Sequence, residues 1–111
     1  MTYTIAGGTI LTRQVKLTTT GATVLIDEGG AIVVGIYATE ISGGTPNLSY
    51  WKTSGGVDYY LRNQKPMTAR ETWRDDVIVR LKKSDVLKAQ ASAANQIDVL
   101  VSYIPGDQTE K

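Results

Sequence analysis

Residues 48–62 read LSYWKTSGGVDYYLR, in which two β-prone runs flank a pair of glycines. Gly55 and Gly56 suit the two central positions of a tight hairpin turn, where both residues need a positive φ. Strands joined by such a turn run antiparallel, and the length of the turn sets their register. The stretch therefore predicts a β-hairpin with a two-residue turn.

The register of this hairpin decides which side chains share a face. A two-residue turn predicts the pairs Ser54 with Val57, Thr53 with Asp58, Lys52 with Tyr59, Trp51 with Tyr60, Tyr50 with Leu61 and Ser49 with Arg62. One face then carries the apolar set Leu48, Tyr50, Val57, Tyr59 and Leu61, and the less apolar face carries the Trp51–Tyr60 pair. A three-residue loop would place Arg62 opposite Leu48, and this mixing of charge into the apolar face favours the two-residue turn.

The rest of the chain continues the strand pattern. Thr, Val, Ile, Tyr and Trp supply 41 of the 111 residues, and glycine pairs separate apolar runs about a dozen residues apart. Strands are predicted at residues 10–18, 22–27, 31–42, 48–53, 57–62, 77–82, 86–92 and 97–104. This rhythm is typical of an antiparallel sandwich or barrel, here a single domain over residues 10–104. An extended arm is expected at residues 1–9 and a flexible tail at residues 105–111.

Two segments carry information beyond their strand propensity. Residues 31–42 are apolar on both faces, which predicts a central strand covered on one side by the core and on the other by a neighbouring segment or subunit. Residues 84–94 alternate at Leu87, Ala89 and Ala91, but their alanine content also suits a helix. Strand is the favoured interpretation, and helix stays open.

Composition excludes several classes of function. The chain has no His and no Cys, which removes the common catalytic dyads, the usual zinc and haem ligands and thiol chemistry. A net charge of +1 argues against nucleic acid as a partner. No apolar stretch approaches the roughly 18 residues of a membrane span, and the start lacks a signal-peptide pattern, so no membrane partner is expected. We expect no enzyme activity, no cofactor and no metal.

Adjacent acids were the remaining candidates for chemistry. Asp75 and Asp76 are neighbours, as are Asp27 and Glu28, and neighbouring side chains on a strand point to opposite faces. Each pair is therefore interpreted as part of a turn or a solvated edge. Thr68 and Glu71 have the spacing of a helix capping box, for which we expect one helical turn in a loop or no helix.

Cations alternate with aromatic residues in the middle of the chain. The candidate interface residues are Trp51, Tyr60, Arg62, Arg70, Trp73 and Arg74. Tyr, Trp and Arg are enriched where protein interfaces bury a desolvated centre, so a protein interface is the preferred functional interpretation. A solvated rim is the alternative without a function, and stacking on a glycan through Trp51, Tyr60 and Trp73 is a further alternative.

The C-terminal half resembles a known class of proteins. Residues 84–92, SDVLKAQAS, are followed by AANQ at residues 93–96 and by the closing strand IDVLVSYI at residues 97–104. This sequence of a turn with Asp, a small-residue strand, a polar turn and a long strand ending in Tyr resembles small β-sandwich virion proteins of tailed bacteriophages. The resemblance covers residues 22–104 and contains no catalytic motif.

The resemblance implies a jelly-roll-like antiparallel β-sandwich of about eight strands. It also implies a non-enzymatic structural part of a virion, made in the host cytoplasm, such as a capsid decoration or head-fibre-base protein. The implied partners are other copies of the chain and virion proteins such as the major capsid protein. A small head–tail or tail component is one alternative function, and a glycan-binding β-sandwich module is another. The arm at residues 1–9 has the length to reach an adjacent subunit.

Overall fold

The computed structural model describes residues 10–106 of the chain. Within this range there are nine strands and no helix. The strands are β1 Leu11–Lys16, β2 Thr23–Ile26, β3 Ile32–Glu40, β4 Asn47–Ser54, β5 Val57–Pro66, β6 Thr72–Asp75, β7 Val79–Arg80, β8 Val86–Ala91 and β9 Ile97–Ile104. The arm predicted at residues 1–9 and most of the tail predicted at residues 105–111 lie outside the described residues.

The strands form two antiparallel sheets packed face to face. The front sheet has the order β1-β9-β3-β6, with β7 also paired to β3, and the back sheet has the order β2-β8-β4-β5. β6 and β7 both pair with β3 and can be counted as one interrupted strand, the sixth of eight, so that β8 becomes the seventh strand and β9 the eighth. The order of the front sheet is then 1-8-3-6, and the order of the back sheet is 2-7-4-5. This is the arrangement of an eight-stranded jelly roll, built from two Greek keys. The prediction of an all-β antiparallel sandwich is confirmed.

The core lies between the sheets and follows the period of two that strands impose. In β9 the side chains of Ile97, Val99, Val101 and Tyr103 point inward and are buried. The inward side chains of β8, Leu87 and Ala89 among them, meet this row from the back sheet and are fully buried. The favoured interpretation of residues 84–94 as a strand is therefore confirmed, since β8 spans Val86–Ala91.

The central position predicted for residues 31–42 is also confirmed, because β3 lies between β9 on one side and β6 and β7 on the other. Its inward side chains, including Ile36 and Ala38, are fully buried. The outward side chains Tyr37 and Thr39 are half-buried, and no third layer covers them within residues 10–106. Whether a subunit covers this face stays a prediction.

The predicted hairpin register holds at the turn and fails further along. Gly55 and Gly56 have φ of 59° and 79°, and the pairs from Ser54–Val57 to Trp51–Tyr60 are those expected. Beyond them Tyr50 pairs with Arg62, so the predicted Tyr50–Leu61 and Ser49–Arg62 pairs are wrong. A β-bulge inserts Leu61, whose side chain packs partly against the core, and it moves Arg62 to the inward face.

The apolar face of the hairpin is buried over only half its length. Leu48 and Tyr50 are buried, whereas Val57 and Tyr59 on the same face are 51% and 55% exposed. The turn end of the hairpin therefore extends past the region that the front sheet covers.

The strand predicted at residues 77–82 is wrong in its bounds. The structure has a strand at Thr72–Asp75 and a two-residue strand at Val79–Arg80, with the chain leaving the sheet between them. Ile78 in this connection is 74% exposed. Asp75, which the sequence placed in a turn or solvated edge, lies in the strand and is buried, because partners from the back sheet satisfy its carboxylate.

Candidate functional site

The six candidate interface residues occupy four separate places. Arg62 and Trp73 meet at the edge where β5 of the back sheet lies over β6 of the front sheet. Trp51 and Tyr60 lie together on the outer face of the back sheet. Arg74 lies on the outer face of the front sheet, and Arg70 lies in the turn before β6. Trp73 does not share a face with Trp51 and Tyr60, so the three rings do not form one platform.

The edge cluster consists of Tyr50, Arg62, Lys65, Trp73 and Asp75. Local structure brings these side chains together: the bulge at Leu61 turns Arg62 inward, and Trp73 pairs with the buried Ala38 and so also faces inward. Asp75 follows Trp73 by two residues and therefore shares its face. The cluster fills the space between the sheets at this edge of the sandwich.

Hydrogen bonds tie the two sheets together in the edge cluster. The Tyr50 hydroxyl donates to Asp75 Oδ2 at 2.5 Å and accepts from Trp73 Nε1 at 3.0 Å. Arg62 Nη2 forms an ion pair with Asp75 Oδ2 at 3.4 Å. Burial, together with the hydrogen bond to Asp75, raises the pKa of the Tyr50 hydroxyl above its ordinary value. The hydroxyl thus uses its proton and one acceptor position within the cluster.

Cations surround the indole of Trp73. Lys65 Nζ lies over the ring at 4.4 Å from its centroid, and Arg62 Cζ lies at 5.7 Å. Lys65 Nζ also contacts Glu71 Oε2 at 3.1 Å. A hydrogen bond from the Thr68 backbone N–H and the contact with Lys65 lower the pKa of Glu71. These contacts favour a structural role for Trp73 and leave the guanidinium of Arg62, which is partly exposed, as the accessible part of the cluster.

Trp51 and Tyr60 form a tilted pair with ring centroids 5.0 Å apart. Although Trp51 points away from the core, it is only 4% exposed, whereas Tyr60 is 48% exposed. Trp51 Nε1 is buried and has no hydrogen-bond acceptor among residues 10–106. Tyr60 is therefore the ring that a partner would contact, and Trp51 acts mainly as its support.

Arg70 contacts a buried carboxylate that sequence reasoning did not single out. Glu40 is fully buried at the end of β3 and accepts hydrogen bonds from the backbone N–H of Arg70 at 3.0 Å and of Gly43 at 2.7 Å. It also accepts from the backbone N–H of Ser42 and Gly44 and from the Ser42 hydroxyl. Burial alone would raise the pKa of Glu40, but these hydrogen bonds outweigh it and lower the pKa to about 2. Arg70 thus helps to hold the loop that follows β3.

Arg74 pairs locally with its neighbours on the front sheet. Its Nε donates to Asp76 Oδ1 at 3.0 Å, and its guanidinium lies 5.7 Å from the centroid of the Tyr37 ring. Both side chains of this ion pair are about two-thirds exposed, so the pair contributes little to stability. Arg74 is therefore a surface residue that is free to contact a partner without loss of the fold.

Sequence reasoning missed two further features. The first is the burial of three acids, Glu40, Asp75 and Asp85, each of which contacts residues distant in the sequence. For Glu40 a local signal was the Ser42-Gly43-Gly44 sequence that follows it. A depression on the outer face of the back sheet, lined by Ser49, Gln64 and Gln90 among others, had no signal because its residues are dispersed along the chain.

Within residues 10–106, no group of three or more acidic, His or Cys side chains is arranged to hold a metal ion. The described part of the chain also contains no helix with the length and apolar character to cross a membrane. Among known proteins, no family model, curated protein or solved structure matches this chain.

Proposed function

We propose that this chain is a non-enzymatic structural component of a tailed-phage virion, serving as a capsid decoration or head-fibre-base protein. Its partners would be other copies of itself and a lattice protein such as the major capsid protein. A small head–tail or tail component would use the same kind of contact. Jelly rolls occur in viral capsid and lectin domains, which makes the fold compatible with this role without establishing it.

The observation that carries the proposal is the free edge of β5. This ten-residue strand pairs with β4 alone within residues 10–106, so its other edge presents unpaired backbone groups. Three large apolar side chains, Val57, Tyr59 and Tyr60, are about half exposed at the same end of this strand. A long edge strand with exposed apolar side chains is a template for pairing with another chain.

Features that normally block edge pairing are concentrated in the second half of β5. Register shifts occur near Leu61 and again near Gln64, and Lys65 and Pro66 follow. Bulges, lysine and proline are the means by which natural sheets prevent uncontrolled pairing. Residues 57–60 have no bulge, lysine or proline, and their one charged side chain, Asp58, accepts a hydrogen bond from Thr53 Oγ1 on β4 at 2.7 Å. This supports association through the short segment and its Tyr60 ring.

The buried acids support a structural role over a catalytic one. Asp75 is occupied by Tyr50 and Arg62, and Glu40 by the loop that follows β3. Asp85 accepts a hydrogen bond from the Lys82 backbone N–H at 2.9 Å. Each carboxylate thus fixes a turn or joins the two sheets. These contacts make the fold rigid, and a repeated shell component requires a rigid fold.

The proposal is tested by sedimentation of the parent particle. We expect the chain to remain with virions after repeated washing in a density gradient, and we expect purified protein to form oligomers by light scattering after size exclusion. Its absence from washed virions would overturn the proposal.

Variants locate the contact. The double variant Val57→Lys, Tyr59→Lys should weaken association at least tenfold. The two lysines place charge on the pairing segment and leave the core intact. Ile78→Lys is the matched control, since Ile78 is more exposed but lies in the connection between β6 and β7. Equal loss in both variants would contradict pairing through β5.

A further inference from the structure

We propose that a polar depression on the outer face of the back sheet binds one neutral sugar ring. None of the residues that line this depression belongs to residues 57–60, the segment of β5 proposed for association. The site also differs from an aromatic platform of Trp51, Tyr60 and Trp73, because its hydrogen-bonding groups come from other residues.

The depression has a volume of about 270 Å³. Pockets for drug-sized ligands begin at roughly 300 Å³, so this volume suits a single ring better than an extended ligand. Its lining is dominated by uncharged hydroxyl and amide side chains: Thr20, Asn47, Ser49, Gln64, Gln90 and Ser92. No lining residue is charged, so the site has no group to neutralise a phosphate or carboxylate ligand.

Existing hydrogen bonds orient the lining groups and leave their remaining capacity for a ligand. Ser49 Oγ accepts the Gln64 backbone N–H at 2.8 Å, and Ser92 Oγ accepts the Asn47 backbone N–H at 2.8 Å. Each hydroxyl therefore retains its own proton as a donor. Gln90 Nε2 donates to the Thr20 carbonyl at 2.8 Å, which leaves Gln90 Oε1 as an acceptor. Fixed donors and acceptors side by side match the adjacent hydroxyls of a sugar.

The backbone of Gln64, which lines the depression, has an unusual conformation. It has a φ of 59°, a conformation that is unfavourable for a residue with a side chain other than Asn or Asp, and it lies at the second register shift of β5. Bulges of this kind redirect side chains and occur beside binding sites. The strain is retained at a position whose amide lines the depression.

An exposed aromatic ring lies on the same outer face of the back sheet as the depression. Ser49 and Trp51 are two residues apart on β4 and share the outer face, so their positions are separated by roughly 7 Å. Tyr60 packs on Trp51 and remains half exposed. Such a ring is a surface on which the apolar face of a sugar can pack.

Binding of the full chain is first measured on an array of neutral glycans. The chain is then titrated with glucose, galactose, mannose and N-acetylglucosamine, and its backbone amide resonances are recorded by NMR. We expect at least one of these sugars to shift the resonances of residues 47–49, 64 and 90–92. No shift with any of them, shifts confined to the front sheet, or array binding restricted to charged glycans would overturn the proposal.

Gln64→Gly is the decisive variant, because glycine adopts the same φ without strain and keeps the N–H that Ser49 accepts. Loss of the amide should weaken sugar binding about 3- to 10-fold, the effect of one hydrogen bond. Gln14→Ala is the matched control, since Gln14 is an exposed glutamine on the outer face of the front sheet. Unchanged binding by Gln64→Gly would exclude this site. The Gln64→Gly protein should still sediment with virions. Loss of sugar binding can therefore be distinguished from loss of the association proposed for β5.

Discussion

The Tyr50 hydroxyl donates a hydrogen bond to Asp75 Oδ2 across the sandwich, with 2.5 Å between the two oxygens. Tyr50 belongs to β4 of the back sheet and Asp75 to β6 of the front sheet, so this bond joins the two layers directly. Trp73 donates to the same hydroxyl at 3.0 Å. The phenol is thus both a large core side chain and the centre of the polar network that closes this edge.

Tyr50→Phe should lower the free energy of unfolding by roughly 1–3 kcal/mol, because it keeps the ring but leaves Asp75 and Trp73 Nε1 without their buried partner. Urea denaturation followed by circular dichroism measures the change. Tyr37→Phe is the control, since Tyr37 is half-buried on the outer face of the front sheet. Equal stability of the two variants would show that the network contributes nothing beyond packing.

We expect protonation of Glu40 to lower the free energy of unfolding in acid. Its pKa is about 2 in the folded chain against an ordinary value of 4.5, so its stabilising contribution is complete above pH 4.5 and disappears as the pH falls towards 2. The difference in free energy of unfolding between the wild type and Glu40→Gln should therefore be constant from pH 7 to about 4.5 and should shrink below it. Urea titrations at a series of pH values give this difference.

Asp76→Asn provides the control for acid stability, because Asp76 is exposed. Its stability should differ little from that of the wild type throughout this pH range. A difference for Glu40→Gln that does not change between pH 4.5 and 2 would contradict the assignment of acid sensitivity to Glu40.

Trp51 should matter to the monomer in spite of its outward direction. Because the ring is only 4% exposed, Trp51→Ala should cost roughly 3–5 kcal/mol. Trp51→Phe should cost much less, since Nε1 has no acceptor to lose and its removal ends the burial of an unpaired donor. Thermal and urea unfolding of both variants test this, and a Trp51→Ala protein as stable as the wild type would disprove the supporting role.

The hairpin turn depends on glycine for its backbone conformation and not for space. A Cβ at Gly55 or Gly56 would meet no atom within 4 Å, but both residues have positive φ. Gly55→Asn should therefore be neutral or slightly stabilising, since Asn-Gly is a preferred pair for this turn. Gly55→Val should destabilise by about 1–2 kcal/mol. Equal melting temperatures for the Asn and Val variants would contradict the turn type.

Local sequence was sufficient for much of the fold. The two glycines and the alternating residues beside them predicted the turn and the register as far as the Trp51–Tyr60 pair, because those contacts lie within a few residues of the turn. Period two in residues 97–104 predicted the bounds of β9 and its inward face. The same signal favoured a strand at residues 86–92 in spite of the alanines, and the structure has it at Val86–Ala91. The role in a virion stays a proposal, which the free edge of β5 supports.

The remaining features were decided by contacts between residues far apart in the chain. Alternation alone placed Leu61 opposite Tyr50, but the bulge instead brings Arg62 to Asp75, a partner from the other sheet. Asp75 beside Asp76 has the local appearance of a turn, and it is buried only because Tyr50 and Arg62 satisfy its charge. Trp51 is likewise buried although it faces outward, between neighbouring strands on both sides and in contact with the Tyr60 ring. The elements whose stability depends on local contacts could thus be predicted from the sequence. Which polar groups are buried could not, because a buried polar group needs hydrogen-bond or charge partners that only folding brings together.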